Sequence, residues 1–226
     1  MATKGFIKYK CEWSKTDAVK DTSILEINPY RNALYQLNFI REDSDGTGVG
    51  NISQRIKSDS LGNVTPQFII SGSQTGRLHS VKASDYAIVT SFVPEENRLT
   101  CEGMRKASSE SLTHGVIYSS DPGIGAVIHV HNSKIWKGLL DQAPSTRSEI
   151  AYGTPEMAEE TQRLFQESNL SQVKIFAMAG HKDGIVSFGE NLKIAYDVLI
   201  EWGLRTGLFT LLDSEAALRL PGQLIA

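Results

Sequence analysis

Two cysteines in 226 residues make no disulfide framework. Cys11 and Cys101 could pair, but so sparse a set points to a reducing, cytoplasmic setting. Long apolar runs are missing as well, which excludes a membrane-spanning helix. The opening MATKGFIKYKCEW has neither an apolar core nor a small-residue cleavage site, so no secretory leader is expected. With a net charge of -3 there is no basic footprint, and nucleic acid is not an expected partner. Internal repeats and low-complexity linkers are lacking too, which predicts a single domain over residues 1–226. No Walker pattern occurs. The glycines of GTGVGN follow a helical stretch and an acidic loop rather than a strand, so they do not form a dinucleotide fingerprint.

What remains is an ordinary globular chain, 40% apolar and 22% charged, long enough to bury one sizeable core. Residues 26–41 carry Ile27, Ala33, Leu34, Leu37 and Ile40 at spacings near three and four, which predicts a helix with Pro29 in its first turn. GNISQRIK, QFIISGSQTGRL and DYAIVTSFV each read as extended or begin as strands. Residues 107–119 open with small hydroxyl residues and an acid, then show Leu112, Val116 and Ile117 on one face. That predicts a helix capped by Ser108 or Ser109. DPG ends it, and GAVIHV is a strand. A helix near 156–168, the strands VKIFAMAG and IVSFG, and a long helix over 190–207 follow. Several strands join directly by turns, so the expected architecture is α/β with a mainly antiparallel or mixed sheet flanked by helices.

Only five histidines are present, and two of them, His129 and His131, sit two apart at a strand end. Residues at that spacing share a face, leaving Ile128 and Val130 on the other. Two imidazoles can converge on a borderline metal, but zinc prefers four ligands. His181 in AMAGHKDG is the best third candidate, because it follows a strand, precedes a turn and neighbours a glycine that admits close approach. Three nitrogens with an open position describe a catalytic site rather than a sealed structural one. Cobalt, manganese, nickel or iron would suit the same donors. His114 lies four residues after Glu110 and reads as a polar residue fixing the helix, and His79 as a loop residue.

Glu110 stands at the front of a predicted helix, just before the histidine strand, where a carboxylate could serve a metal-bound substrate as proton carrier. Three short stretches could seat an anion: GNIS (50–53), SGSQTG (71–76) and SSE (108–110).

Taken in order, GNIS, ISGSQTG, KASSE with THGVIY, DPGIGAVIHVHN, IAYGTPE and MAGHKDGIVSFGENLKIA resemble the motifs of the class II aldolase/adducin family over roughly residues 28–207. The resemblance implies a single α/β/α domain around a mainly antiparallel sheet, with an N-terminal segment 1–25 and a tail 208–226, assembled as a homotetramer. It implies that His129, His131 and His181 bind Zn2+, that Glu110 is the catalytic acid/base, and that Asn51, Ser73, Thr75, Gly76, Ser108 and Ser109 hold a substrate phosphate. Within the second anion-seating segment Ser71-Gly72, Ser73 and Thr75-Gly76 are the alternatives for the anion position, and counting forward to Val81 slightly favours Thr75-Gly76. The expected activity is retro-aldol cleavage of a small, phosphorylated hydroxy-ketone through a metal-stabilised enediolate. A sugar-phosphate dehydratase and a non-catalytic, adducin-like scaffold are the alternatives. The tail has no tyrosine of the kind some aldolases use for proton transfer, Tyr152 resembles a structural Tyr-Gly turn, and SFVPEENRLTCEGMR is longer than the family's usual link.

Overall fold

The computed structural model describes residues 8–56 and 65–223, so the outermost parts of the segments 1–25 and 208–226, and Lys57 of GNISQRIK, lie outside the described residues. The first expected helix is α1 (Ile27–Gln36), with Ile27, Ala33 and Leu34 buried. Pro29 falls in its first turn, where a missing N–H costs nothing. The helix stops short of Leu37 and Ile40 because Asn38 turns left-handed (φ 60°), and the Phe39 and Ile40 amides fold back onto the Leu34 carbonyl. The acidic break after it is a small hairpin pairing β2 (Arg41–Glu42) with β3 (Gly48–Val49).

The remaining strands form one eight-stranded sheet. They are β1 (Lys10–Ser14), β4 (Asn51–Arg55), β5 (Phe68–Ser71), β6 (Tyr86–Val93), β7 (Arg98–Glu102), β8 (Ala126–His131), β9 (Ile175–Ala177) and β10 (Gly184–Gly189). Their spatial order is β1-β7-β6-β5-β4-β8-β10-β9. Only the β1–β7 pair is parallel, so the sheet is mixed and mostly antiparallel. SFVPEENRLTCEGMR, expected to be longer than the family's usual link, contains the end of β6 and the whole of β7. It closes the β6–β7 hairpin through a turn at Pro94–Glu96. β1 gives no strong strand signal because it is an edge strand: Cys11 and Trp13 turn inward between exposed Lys10, Glu12 and Ser14.

Helices cover both faces. On one lie α1, α3 (Ser133–Gln142), α6 (Leu192–Arg205) and α7 (Leu211–Gln223), packed around Leu34, Leu139 and Leu199. On the other lie α2 (Ser111–Ser120), α4 (Pro155–Glu167) and α5 (Leu170–Val173), packed around Leu112, Leu164 and Leu170. The result is a single α/β/α domain. Each fully buried Leu or Ile in these layers contributes roughly 1.5–3 kcal/mol. Burial matters most for α2, whose Thr113, Gly115, Val116 and Ile117 are poor helix formers yet lie wholly inside.

α2 also departs from expectation at its start. It begins at Ser111 with Glu110 in the N-cap position, and neither Ser108 nor Ser109 caps it. The Ser109 hydroxyl is spent on Glu110, and Ser108 instead accepts, through its carbonyl, the Ser111 hydroxyl. Helix α3 carries Ile135, Trp136, Leu139 and Leu140 at helical spacing and is capped by Asn132, whose side chain accepts from the Lys134 and Ile135 amides.

Candidate metal centre

Strand alternation sets the site. In β8, Ile128 and Val130 enter the core under α1 and α6, while Val127 enters the opposite core, so His129 and His131 project toward α2 and α4. The flanking strands register Asn51 and Val186 beside His129, and Gly184 beside His131. His181 comes from the turn between β9 and β10, tied by its amide to Met178 and by its carbonyl to the Gly184 amide. Gly180 before it is required: a Cβ there would lie 1.9 Å from the Ile150 carbonyl oxygen.

One nitrogen from each of His129, His131 and His181 falls within 4.8 Å of the others, and all three residues are buried. The Nε2 atoms of His129 and His131 are 3.2 Å apart. Two vertices of a tetrahedron with ligand bonds of about 2.05 Å are separated by about 3.3 Å, so this pair is already spaced for one ion. The Nδ1 of His129 lies 3.0 Å from the Ile185 carbonyl. That contact fixes the proton on Nδ1 and leaves the Nε2 lone pair facing the cluster, the arrangement that orients ligating imidazoles. Burial also lowers the His129 pKa, keeping the ring in the neutral form that binds a metal, with the Glu110 charge opposing. The donors present therefore fit a divalent metal with open coordination positions.

Glu110 lines the same cavity as the three histidines. Its Oε2 accepts from Asn51 Nδ2 at 2.8 Å and from Ser109 Oγ at 2.9 Å. His114, four residues on, does not pair with the Glu110 carboxylate. Its Nδ1 meets Ser53 Oγ at 2.7 Å, and Ser53 also meets the Tyr118 hydroxyl at 2.8 Å. Burial, reinforced by His129, holds the His114 pKa well below the ordinary histidine value.

Among the anion candidates, Asn51, Ser73, Ser108 and Ser109 line the cavity. Thr75 and Gly76 do not. The chain turns left-handed at Gln74 (φ 64°) and presents Ser73 and Gln74 to the cavity before winding into a tight turn at Thr75–Arg77. Thr75 spends its hydroxyl on the Gly72 carbonyl, and its own carbonyl accepts from buried Arg31. Gly76 is pressed on β3, where a Cβ would lie 2.5 Å from the Val49 carbonyl oxygen. Gly50 and Gln74, within the stretches GNIS and SGSQTG, also line the cavity, as do Gly48 and Val49 of β3, which none of the three anion-seating stretches includes. Tyr152, expected as part of a structural Tyr-Gly turn, also lies against the site. Its ring centroid lies 4.3 Å from that of His181, so the Tyr-Gly turn also forms a wall of the histidine cluster. His79 lies in a loop, with its ring edge on Tyr35.

Residues 33–202 match the model of the Class II Aldolase and Adducin N-terminal domain. The chain belongs to the class II aldolase/adducin family. Solved structures share its fold at low identity. A sugar-phosphate aldolase from Thermotoga maritima is 16% identical, with a TM-score of 0.58 over 89% of this chain and 94% of that one. An L-fuculose 1-phosphate aldolase is 17% identical, with a TM-score of 0.61 over 89% and 97%. The L-fuculose-1-phosphate aldolase of Thermus thermophilus is 18% identical, with a TM-score of 0.54 over 89% and 94%. Family membership and the buried triad together support a metal-dependent, class II aldolase-type lyase. Among the described residues, no helix of this family member is long and apolar enough to cross a membrane.

Proposed function

We propose that the protein is a zinc-dependent lyase that cleaves a small, phosphorylated hydroxy-ketone by retro-aldol chemistry, acting as a homotetramer in the cytoplasm. The observation that carries this reading is the convergence of three imidazoles and one carboxylate on one cavity. A divalent ion there would act as a Lewis acid on the ketone and stabilise the charge left when the carbon–carbon bond breaks. Glu110, aimed by Asn51 and Ser109, would carry the proton: it would take up the one that the hydroxyl beta to the ketone loses as the carbon–carbon bond breaks and return it to the carbon that loses its partner.

Among the described residues no lysine or arginine lines the cavity, so its side-chain donors to a phosphate are neutral: the hydroxyls of Ser73 and Ser108 and the second N–H of Asn51, the Ser109 hydroxyl being held by Glu110. Thr75 and Gly76, turned away from the cavity, are not part of this seat. The phosphate assignment draws on the named substrates of the similar aldolases. Leu211 and Leu212, large and exposed on α7, suit an assembly face. The free thiols of Cys11 and Cys101, with sulfurs 3.7 Å apart, suit a reducing compartment.

The test combines metal analysis of the purified protein with incubation against a panel of phosphoketoses, products being weighed by mass spectrometry. Zinc near one ion per chain and products of carbon–carbon cleavage are expected. Loss of water instead would select the dehydratase, and neither metal nor product would select a scaffold. Glu110→Gln should abolish turnover with metal content unchanged.

A further inference from the structure

Residues 8–14 precede the stretch matched by the family model, which begins at residue 33. Even so, Lys8 and Tyr9 touch two walls of the histidine cavity. The buried Tyr9 hydroxyl donates to the Ala107 carbonyl at 2.8 Å, at the entrance to the loop that carries Ser108, Ser109 and Glu110. Burial pushes that phenol above its usual pKa, so it stays a donor. Lys8 reaches the other wall. Its ammonium donates to the Tyr152 carbonyl at 2.9 Å and lies 3.7 Å from the centre of the Tyr152 ring, well within cation–π range. That ring is the one packed on His181.

The two walls also meet each other. A Cβ on left-handed Gly153 would lie 3.4 Å from Lys8 Cδ and 3.6 Å from the Ser109 carbonyl oxygen. The segment itself is held from behind. The Lys10 amide donates to the Asn97 carbonyl at 2.7 Å, Asn97 Nδ2 donates to the Lys8 carbonyl at 3.2 Å, and β1 continues along β7. Lys8 and Tyr9 thus project from the sheet edge rather than from a loose end. Burial lowers the Lys8 pKa while the charge of Glu110 raises it, which places this cation within electrostatic reach of the acid.

We infer that Lys8 and Tyr9 are positioning residues of the metal site: Tyr9 sets the loop carrying Glu110, and Lys8 holds Tyr152 against His181. Neither touches a reacting atom. The Lys8 arm rests on the metal assignment and the Tyr9 arm on the lyase reading above, and the experiment separates these.

Metal-free wild type, Lys8→Met, Lys8→Arg and Tyr9→Phe are titrated with Co2+, followed by its visible absorption. Thermal melts of the metal-free forms serve as fold controls. Lys8→Met should bind cobalt about tenfold more weakly, the usual scale for losing support behind a ligand, with an altered spectrum. Lys8→Arg, which keeps the charge and the ring contact, should return to the wild-type value. Tyr9→Phe should bind cobalt as wild type does but lose about tenfold in kcat with KM unchanged, the signature of a displaced acid rather than of lost binding. Superimposable cobalt curves for wild type and Lys8→Met would overturn the Lys8 role. An unchanged kcat in Tyr9→Phe would overturn that of Tyr9. No cobalt uptake by wild type would overturn the metal assignment itself, and the Lys8 role with it.

Discussion

Replacing Asn51 by Asp tests the hydrogen bond that orients Glu110. The amide Nδ2 of Asn51 lies 2.8 Å from Glu110 Oε2, and both residues are buried. Asn51→Asp changes the shape little but sets a second carboxylate against the first. With the pair relaxed to about 4 Å at an effective dielectric of about 20, two negative charges repel by about 4 kcal/mol. That is about three pKa units, so the two carboxyls should hold one proton between them up to about pH 7. The folded variant then binds more protons than the unfolded chain, whose carboxyls titrate near about 4. Its stability relative to wild type is therefore greatest at or below about pH 4 and falls as pH rises, by about 1.4 kcal/mol per pH unit until the shared proton leaves. Urea unfolding of metal-free wild type and variant from about pH 4.5 to 8 measures this. A difference independent of pH would show that residue 51 does not face the carboxylate and would remove the proposed orientation of Glu110.

Three further outcomes follow from the same geometry. Ser53→Ala strands His114 Nδ1 and the Tyr118 hydroxyl in the core. It should cost roughly 2–4 kcal/mol by chemical denaturation, against near neutrality for an exposed serine. His114 and His129 are buried with lowered pKa values, so below about pH 6.5 the unfolded chain binds more protons than the folded one. Metal-free protein should lose up to about 1.4 kcal/mol per pH unit for each on acidification, and His114→Asn should flatten that limb of the unfolding profile. His181→Ala removes one of three donors and should weaken zinc binding by roughly a hundredfold or more, read by competition with a chromophoric chelator. Full occupancy in that variant would exclude His181 as a ligand.

The parts of the site legible from sequence are those that local rules control. Two histidines at period two must share a strand face, whatever the sheet's topology, and a histidine after a glycine at a strand end is free to approach it. The strands β5, β6, β8, β9 and β10 announce themselves because buried strands need apolar residues at short range. The edge strand β1 does not, since its alternation covers five residues with only Cys11 and Trp13 turned inward; helix α3 does carry an apolar stripe of Ile135, Trp136, Leu139 and Leu140 at helical spacing. The start of the helix within 107–119 is misread from sequence because small hydroxyl residues serve equally well as caps and as lining. Here Ser109 bonds the Glu110 carboxylate and so cannot cap.

By itself, then, the order of residues determined the identity of the donors: three imidazoles, one carboxylate, a set of hydroxyls and an α/β layering to carry them. Such choices depend on side-chain chemistry and on periods of two and 3.6 residues, which are written in the chain. Only the tertiary structure decided which donors share a cavity. Antiparallel pairing placed Asn51 beside His129 and β10 beside β8, and a left-handed turn at Gln74 put Ser73 in and Thr75 out. Pairing of β1 on β7 brought Lys8 and Tyr9 to walls nearly a hundred or more residues away in sequence. Those placements come from long-range register and backbone handedness. Neither leaves a local signature strong enough to read beforehand.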